Sequence, residues 1–289
     1  MKRLVSQRSL LWLASLVALA AAYTLVSSRV QRPDVIPPTE DITQVFTALV
    51  GITARHAGNP DHHAHAGHHV HSSDQVDTLV HEGVTLQESI AVSTARVLFG
   101  LAVGLPLGVL LGALMGWSRR ADDYLHPIYV LLRSVPPLAL ITYIMLWLGH
   151  GEAHRLIPIV YAVAVTAVVP TYHGVRDVAG KYVMAAQSLG ARGRLLLRKV
   201  LLPAAAPAVL GSLRYAVAIA WMTAVGAEML MADNGMGNLL VGGGMWASRL
   251  QTRSDPAVIM VGILALAAMG WAMDAIARAI TARLTRWAT

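Results

Sequence analysis

Cysteine is absent from this 289-residue sequence, so disulfides and thiolate metal sites are excluded. Charge is scarce as well: 13% of the residues are Asp, Glu, Lys or Arg, against about 25% in a soluble domain. No G-x-x-x-x-G-K-[ST] phosphate loop occurs, so nucleotide phosphates have to be bound by another polypeptide. Ser93, Thr94 and Ser188 have polar neighbours, but none stands in a nucleophile elbow or a triad setting. An intramembrane enzyme is therefore disfavoured, and no catalytic residue is assigned. Strand-like alternation of apolar and polar residues is also missing.

Long apolar runs are what the sequence has, with 55% of residues apolar. About 20 such residues cross a bilayer core. Six stretches qualify: residues 10–26, 89–117, 124–148, 156–173, 207–231 and 257–277. Helices satisfy their own backbone polar groups in lipid, so the expectation is an all-α membrane protein with about six transmembrane helices. The first stretch has two readings. MKR followed by LLWLASLVALAAA suits a retained anchor helix, and it also suits a cleavable signal sequence with small residues near its end.

A net charge of +7 and a pI near 10.0 invite a nucleic-acid reading, which the placement of the cations opposes. With the N-terminus inside, 14 of the 23 lysines and arginines fall in internal segments and six in external loops. Arg96, Arg133 and Arg214 lie within spans. That asymmetry obeys the positive-inside rule, puts both termini in the cytoplasm, and makes lipid the partner, with no nucleic acid.

Three regions follow: an N-terminal helix over residues 1–28, an external loop over 29–87, and a five-helix core over 88–289. The loop contains HAGNPDHHAHAGHHVH, with seven of the 12 histidines between His56 and His71. Neutral imidazoles ligate zinc, nickel, copper and cobalt, which makes His62, His63, His65, His68, His69 and His71 candidate ligands of a loosely held transition metal. The alternative is a solvated low-complexity loop, favoured by the Gly, Pro, Asn and Asp residues around them.

In the second span Gly100, Gly104, Gly108, Gly112 and Gly116 recur every fourth residue. Such a row winds slowly around a helix and lets a second backbone approach closely, so it is read as a helix-packing face. Pro106 and Pro158 suggest kinks. Charges inside spans mark functional candidates, here Arg96, Arg214 and Glu228, each open to structural ion pairing or a place in a translocation path. Arg214 and Glu228 are 14 residues apart, about 21 Å along a helix, so they need different partners. Asp274 approaches the internal end of the last span.

The internal segment over residues 177–203 is basic and broken by glycine. Residues 178–188 favour helix, Gly190 is placed to stop it, and residues 192–201 can form a second helix before Pro203. Alternating basic and apolar residues in the second helix suit a surface against headgroups or a partner protein.

At these residues the chain resembles the permease subunits of binding-protein-dependent ABC importers. Their cytoplasmic loop reads E-A-A-x-x-x-G followed by an apolar-Leu-Pro ending, and Ala185, Ala186, Gly190, Leu202 and Pro203 occupy that pattern. Met184 stands where the family often has glutamate. Four further motifs resemble the nitrate, sulfonate, taurine and bicarbonate branch: STARVLFG at 93–100, LLRSVPPLAL at 131–140, LRYAVAIAWMTAVGAEML at 213–230 and NGMGNLL at 234–240. Asp274, Arg283 and Trp287 also fit.

The resemblance implies the type I importer permease fold, a multi-pass place in the bacterial inner membrane, and a coupling helix docked on a separate ABC ATPase. It implies further partners: an extracytoplasmic solute-binding protein and a second permease copy, forming a homodimer, or a close paralogue in its place. ATP and Mg would sit on the ATPase, with no cofactor on this chain. The branch suggests a small anion such as a sulfonate or nitrate. The histidine tract suggests a metal ion, a metal chelate or a self-contained metal carrier instead, and heterocyclic vitamins remain a third class.

Overall fold

Apolar helices in lipid have no reason to hide every side, and the spans of this protein show it. The computed structural model describes residues 18, 21–25, 27, 37, 39–50, 86–149, 151–178, 180–231, 234–241 and 256–285. Among these residues all regular structure is helical. The elements are α1 (Thr39–Leu49), α2 (Leu86–Trp117), α3 (Arg119–Ser134), α4 (Pro137–Leu148), α5 (Glu152–Arg176), α6 (Gly180–Ser188), α7 (Leu202–Met231), α8 (Met236–Val241) and α9 (Pro256–Leu284). A helical turn at Arg194–Leu196 and a π turn at Leu197–Leu201 lead directly into α7.

Among the described residues four helices are long and apolar enough to cross a membrane, and in their most apolar windows 22% to 39% of the residues are buried. The remaining apolar surface, including Leu110 at 57% and Trp271 at 65% exposure, is left for lipid or another chain. The pair of α3 and α4 is apolar enough only when the two are taken together, and their axes meet at 88°, the geometry of a broken span or a re-entrant loop. The sequence suggested one continuous span over 124–148, and the structure breaks it at Pro136–Pro137. Val135 is forced to extended backbone at φ −83°, ψ 120° by the following ring, and α4 restarts with proline in its first turn. Pro106 and Pro158, where kinks were expected, lie inside the uninterrupted helices α2 and α5. The first expected span, 10–26, falls mostly outside the described residues.

By contacts the chain divides into two compact units, Met1–Gln87 with Leu239–Leu264, and Glu88–Asn238 with Ala265–Thr289. In the first, Tyr23 Oη donates to the Pro37 carbonyl at 2.8 Å, and Val45 of α1 is 2% exposed. In the second, α2, α5, α7 and α9 meet around Val97, Ile159, Val163, Ala216, Ala220 and Met273.

The glycine row of α2 lies along α5. A Cβ added at Gly108 would stand 2.2 Å from the Ala164 carbonyl oxygen, and one at Gly112 would stand 2.4 Å from that of Val168. A Cβ at Gly104 or Gly116 would likewise stand 2.7 or 2.8 Å from the carbonyl oxygen of Val160 or Tyr172, and Gly100 faces the Ile159 side chain. Backbone is thus pressed on backbone, which maximises dispersion contact where no hydrophobic driving force exists between helices.

Candidate functional site

Two regions of the second unit concentrate polar chemistry. The first is a buried ion network at the Leu86 end of α2. Arg96 is 4% exposed and its five N–H groups all find acceptors. Nε and Nη2 donate to Glu152 at 3.0 and 2.8 Å, a bidentate grip. Nη1 reaches Glu228 Oε1 at 2.7 Å and the Asn234 carbonyl at 3.2 Å, and Nη2 also meets Asn234 Oδ1 at 2.6 Å. Arg155 donates to Glu152 at 2.6 Å, so two arginines share two carboxylates.

Glu228 is wholly buried, and its carboxylate also ties down the loop after α7. It accepts the Ser93 hydroxyl at 2.7 Å and the Gly237 N–H at 3.0 Å, while Ser93 Oγ accepts the Met236 N–H at 2.9 Å. This geometry accounts for the glycines of NGMG. Gly235 sits at φ +107°, and a Cβ there would stand 2.5 Å from the Glu228 carboxyl carbon. With 4% and 0% exposure, Arg96 and Glu228 offer no surface to a passing solute within one chain.

The other in-span candidate, Arg214, grips Asp274 of α9 through Nε at 2.6 Å and Nη2 at 3.1 Å, and Arg278 shares that carboxylate. Arg214 and Glu228 thus go to separate partners. Sequence reasoning did not assign Ser93, Glu152, Arg155 or Asn234. STARVLFG and NGMGNLL carried two of these residues, Ser93 and Asn234, whereas Glu152 opens α5 with no local signal that it would reach Arg96, 56 residues away.

The second region is the segment between α5 and α7. Helix α6 ends as a Schellman turn: Gly190 at φ +86° donates to Gln187 O at 2.9 Å, and Ala191 donates to Ala186 O at 2.9 Å. Its Val183 and Ala186 pack on a cluster of Ala113, Val175, Leu196, Leu201 and Ala205. Its opposite side presents Met184 at 64% and Leu189 at 89% exposure, beside exposed Ala185. The second helix was expected to end before Pro203, and it continues instead. The π turn widens the helix just ahead of that proline, with the Leu202 N–H reaching back to Leu197 O, and Pro203 enters the first turn of α7. Leu202 packs against the same cluster.

Histidines 62, 63, 65, 68, 69 and 71 lie outside the described residues. Among the described ones, no group of three or more His, Asp or Glu side chains is placed to share a metal ion.

These features define a helical membrane component with a projecting apolar segment. Residues 104–286 match the family described as "Binding-protein-dependent transport system inner membrane component", and the chain belongs to it. It is 32% identical over 203 residues to the "Taurine transport system permease protein TauC" of Escherichia coli (strain K12), covering 70% of this chain and 71% of that one. It is 30% identical over 198 residues to the "Putative aliphatic sulfonates transport permease protein SsuC" of Bacillus subtilis (strain 168), covering 68% and 69%. A probable ABC transporter permease protein of Brucella melitensis biotype 1 is 33% identical over 198 residues, covering 68% and 78%.

A chain of the MetNI methionine ABC transporter, solved in inward-facing conformations, superposes with a TM-score of 0.55 at 19% identity. It covers 69% of this chain and 94% of that one, a likeness of fold. The protein is thus a multi-pass inner-membrane permease subunit of an ABC importer, of the type I fold. It is a transport component whose ATPase is a separate subunit.

Proposed function

We propose that this permease, paired with a second copy, forms the pathway by which small sulfonate-type anions enter the cell. A solute-binding protein delivers them outside and the ATPase drives the cycle inside. Both termini face the cytoplasm, and the surrounding partner is lipid. The support for the substrate is the named cargo of its relatives, taurine and aliphatic sulfonates. Met184, Ala185, Ala186, Gly190, Leu202 and Pro203 belong to the coupling element, and ATP and Mg are held by the ATPase.

One observation carries the coupling reading: α6 turns Met184 and Leu189 outward while Val183 and Ala186 seat it on the base of α5 and α7. A push on the exposed side therefore reaches the spans through close-packed side chains. Met184 supplies no carboxylate, so docking rests on shape and apolar contact. The test is co-purification of the ATPase with the intact permease. Leu189→Asp is expected to cut recovery of the ATPase at least tenfold while the permease itself stays monodisperse, and Ala186→Trp is expected to uncouple ATP hydrolysis from uptake. Undiminished ATPase recovery and uptake in both variants would overturn the assignment.

A further inference from the structure

Four arginines near or within the spans have carboxylate partners: Arg96 with Glu152 and Glu228, Arg155 with Glu152, Arg176 with Asp122 and Arg214 with Asp274. Arg133 of α3 differs. No carboxylate pairs with it among the described residues, and it lines an open cavity of about 410 Å³ with Tyr129, Thr166, Val169 and Tyr215. A cation without a counter-ion at membrane depth is costly, and such residues mark ion and substrate pathways.

Its neighbours lie midway along their helices. Thr166 stands about 21 Å along α5 from Glu152 and Tyr215 about 20 Å along α7 from Glu228, both near mid-helix, and Arg133, in the last turn of α3 before the 88° bend, meets them there. Its position is also fixed. Tyr129 Oη donates to the Val165 carbonyl at 3.1 Å, and Tyr161 Oη donates to the Leu132 carbonyl, so hydroxyls stitch α3 to α5 on either side of the arginine.

We propose that Arg133 is the anion-recognising residue of the translocation path, taking the oxyanion head of a small alkyl sulfonate while Val165, Val169 and Pro170 receive its short apolar body. This rests on the importer reading above and names the residue behind its anion selectivity. The planar guanidinium offers parallel N–H donors that match two oxygens of one sulfonate. Tyr215, 64% exposed, can add a phenolic donor from α7, whereas the Thr166 hydroxyl is spent on the Ala162 carbonyl at 2.7 Å and can only accept. The volume falls within the usual range of small-molecule sites, about 300 to 1,000 Å³.

The absence of native cysteine makes a direct test possible. Val169→Cys is introduced into the full chain, assembled with its ATPase in nanodiscs of zwitterionic lipid so that no lipid anion competes. The single thiol is reacted with sulfonatoethyl methanethiosulfonate, which carries the expected head group, and with its trimethylammonioethyl counterpart. Both rates are normalised to a free thiol.

With Arg133 present the anionic reagent is expected to be favoured, Arg133→Gln to reduce that preference about tenfold, and Arg133→Lys to retain most of it. A preference unchanged by Arg133→Gln overturns the proposal, and so does a thiol that neither reagent reaches, because the cavity is then closed to water. Failure of the importer reading shows differently, as labelling that does not respond when the ATPase is trapped with ATP and vanadate.

Discussion

The two ends of this bundle's polar chemistry are treated in opposite ways. Around Arg96 every donor of the guanidinium has an acceptor, and the carboxylate it meets is wholly buried. Around Arg133 the guanidinium opens into a cavity without a carboxylate among the described residues. A saturated ion network is a lock, because removing Arg96 strands the buried charge of Glu228 in low dielectric. An unsaturated cation is a vacancy for a mobile anion. The same residue type thus fixes the architecture in one place and waits for a ligand in the other.

The sharpest way to break that contrast is Arg96→Leu. It leaves Glu228 buried without its cation, and a cost of about 3 to 5 kcal/mol is expected. Thermal unfolding of the detergent-solubilised protein would register this as a large drop, partly recovered in the double variant with Glu228→Leu. Near wild-type stability of the single variant would show that the network is no lock.

Next in size is Gly108→Val, which tests the seam that holds α5 against α2 and so positions both regions. The clash falls on the Ala164 carbonyl, which has no side chain to swing aside, so a loss of at least about 1 to 3 kcal/mol is expected, read as lower folded yield and melting temperature.

Gly235→Ala disturbs the lock more gently. Its positive φ and the contact with the Glu228 carboxylate together predict a loss of about 1 to 3 kcal/mol by the same thermal measurement, with uptake falling further if the loop must stay in register. Arg133→Gln stands at the other extreme. Stability within about 0.5 kcal/mol of wild type is expected, as for an exposed substitution, while anion uptake falls. A large loss of stability would move Arg133 to the structural side of the comparison. Smallest of all, deletion of residues 55–71 is expected to leave anion uptake unchanged in metal-limited medium.

Part of this was legible in the sequence, for physical reasons that differ by element. The glycine row announces a close backbone approach because only a missing Cβ permits one, although α5 as the facing helix is not written in α2. Gly190 as a helix stop is local chemistry, a positive φ that side chains resist. The break between α3 and α4 was encoded in Pro136–Pro137, yet hydropathy runs through both halves and hid it. Glu152 was illegible as a partner of Arg96, since it sits in a different helix and its reach depends on how α5 lies against α2.

The sequence by itself determined that the chain is helical, crosses a membrane several times and must borrow its nucleotide chemistry. Hydropathy, backbone self-satisfaction in lipid and local turn stereochemistry act over a few residues to a few turns. Only the tertiary structure decided which arginines are neutralised and which is left open, because charge compensation depends on distances of a few ångströms between helices far apart in the chain.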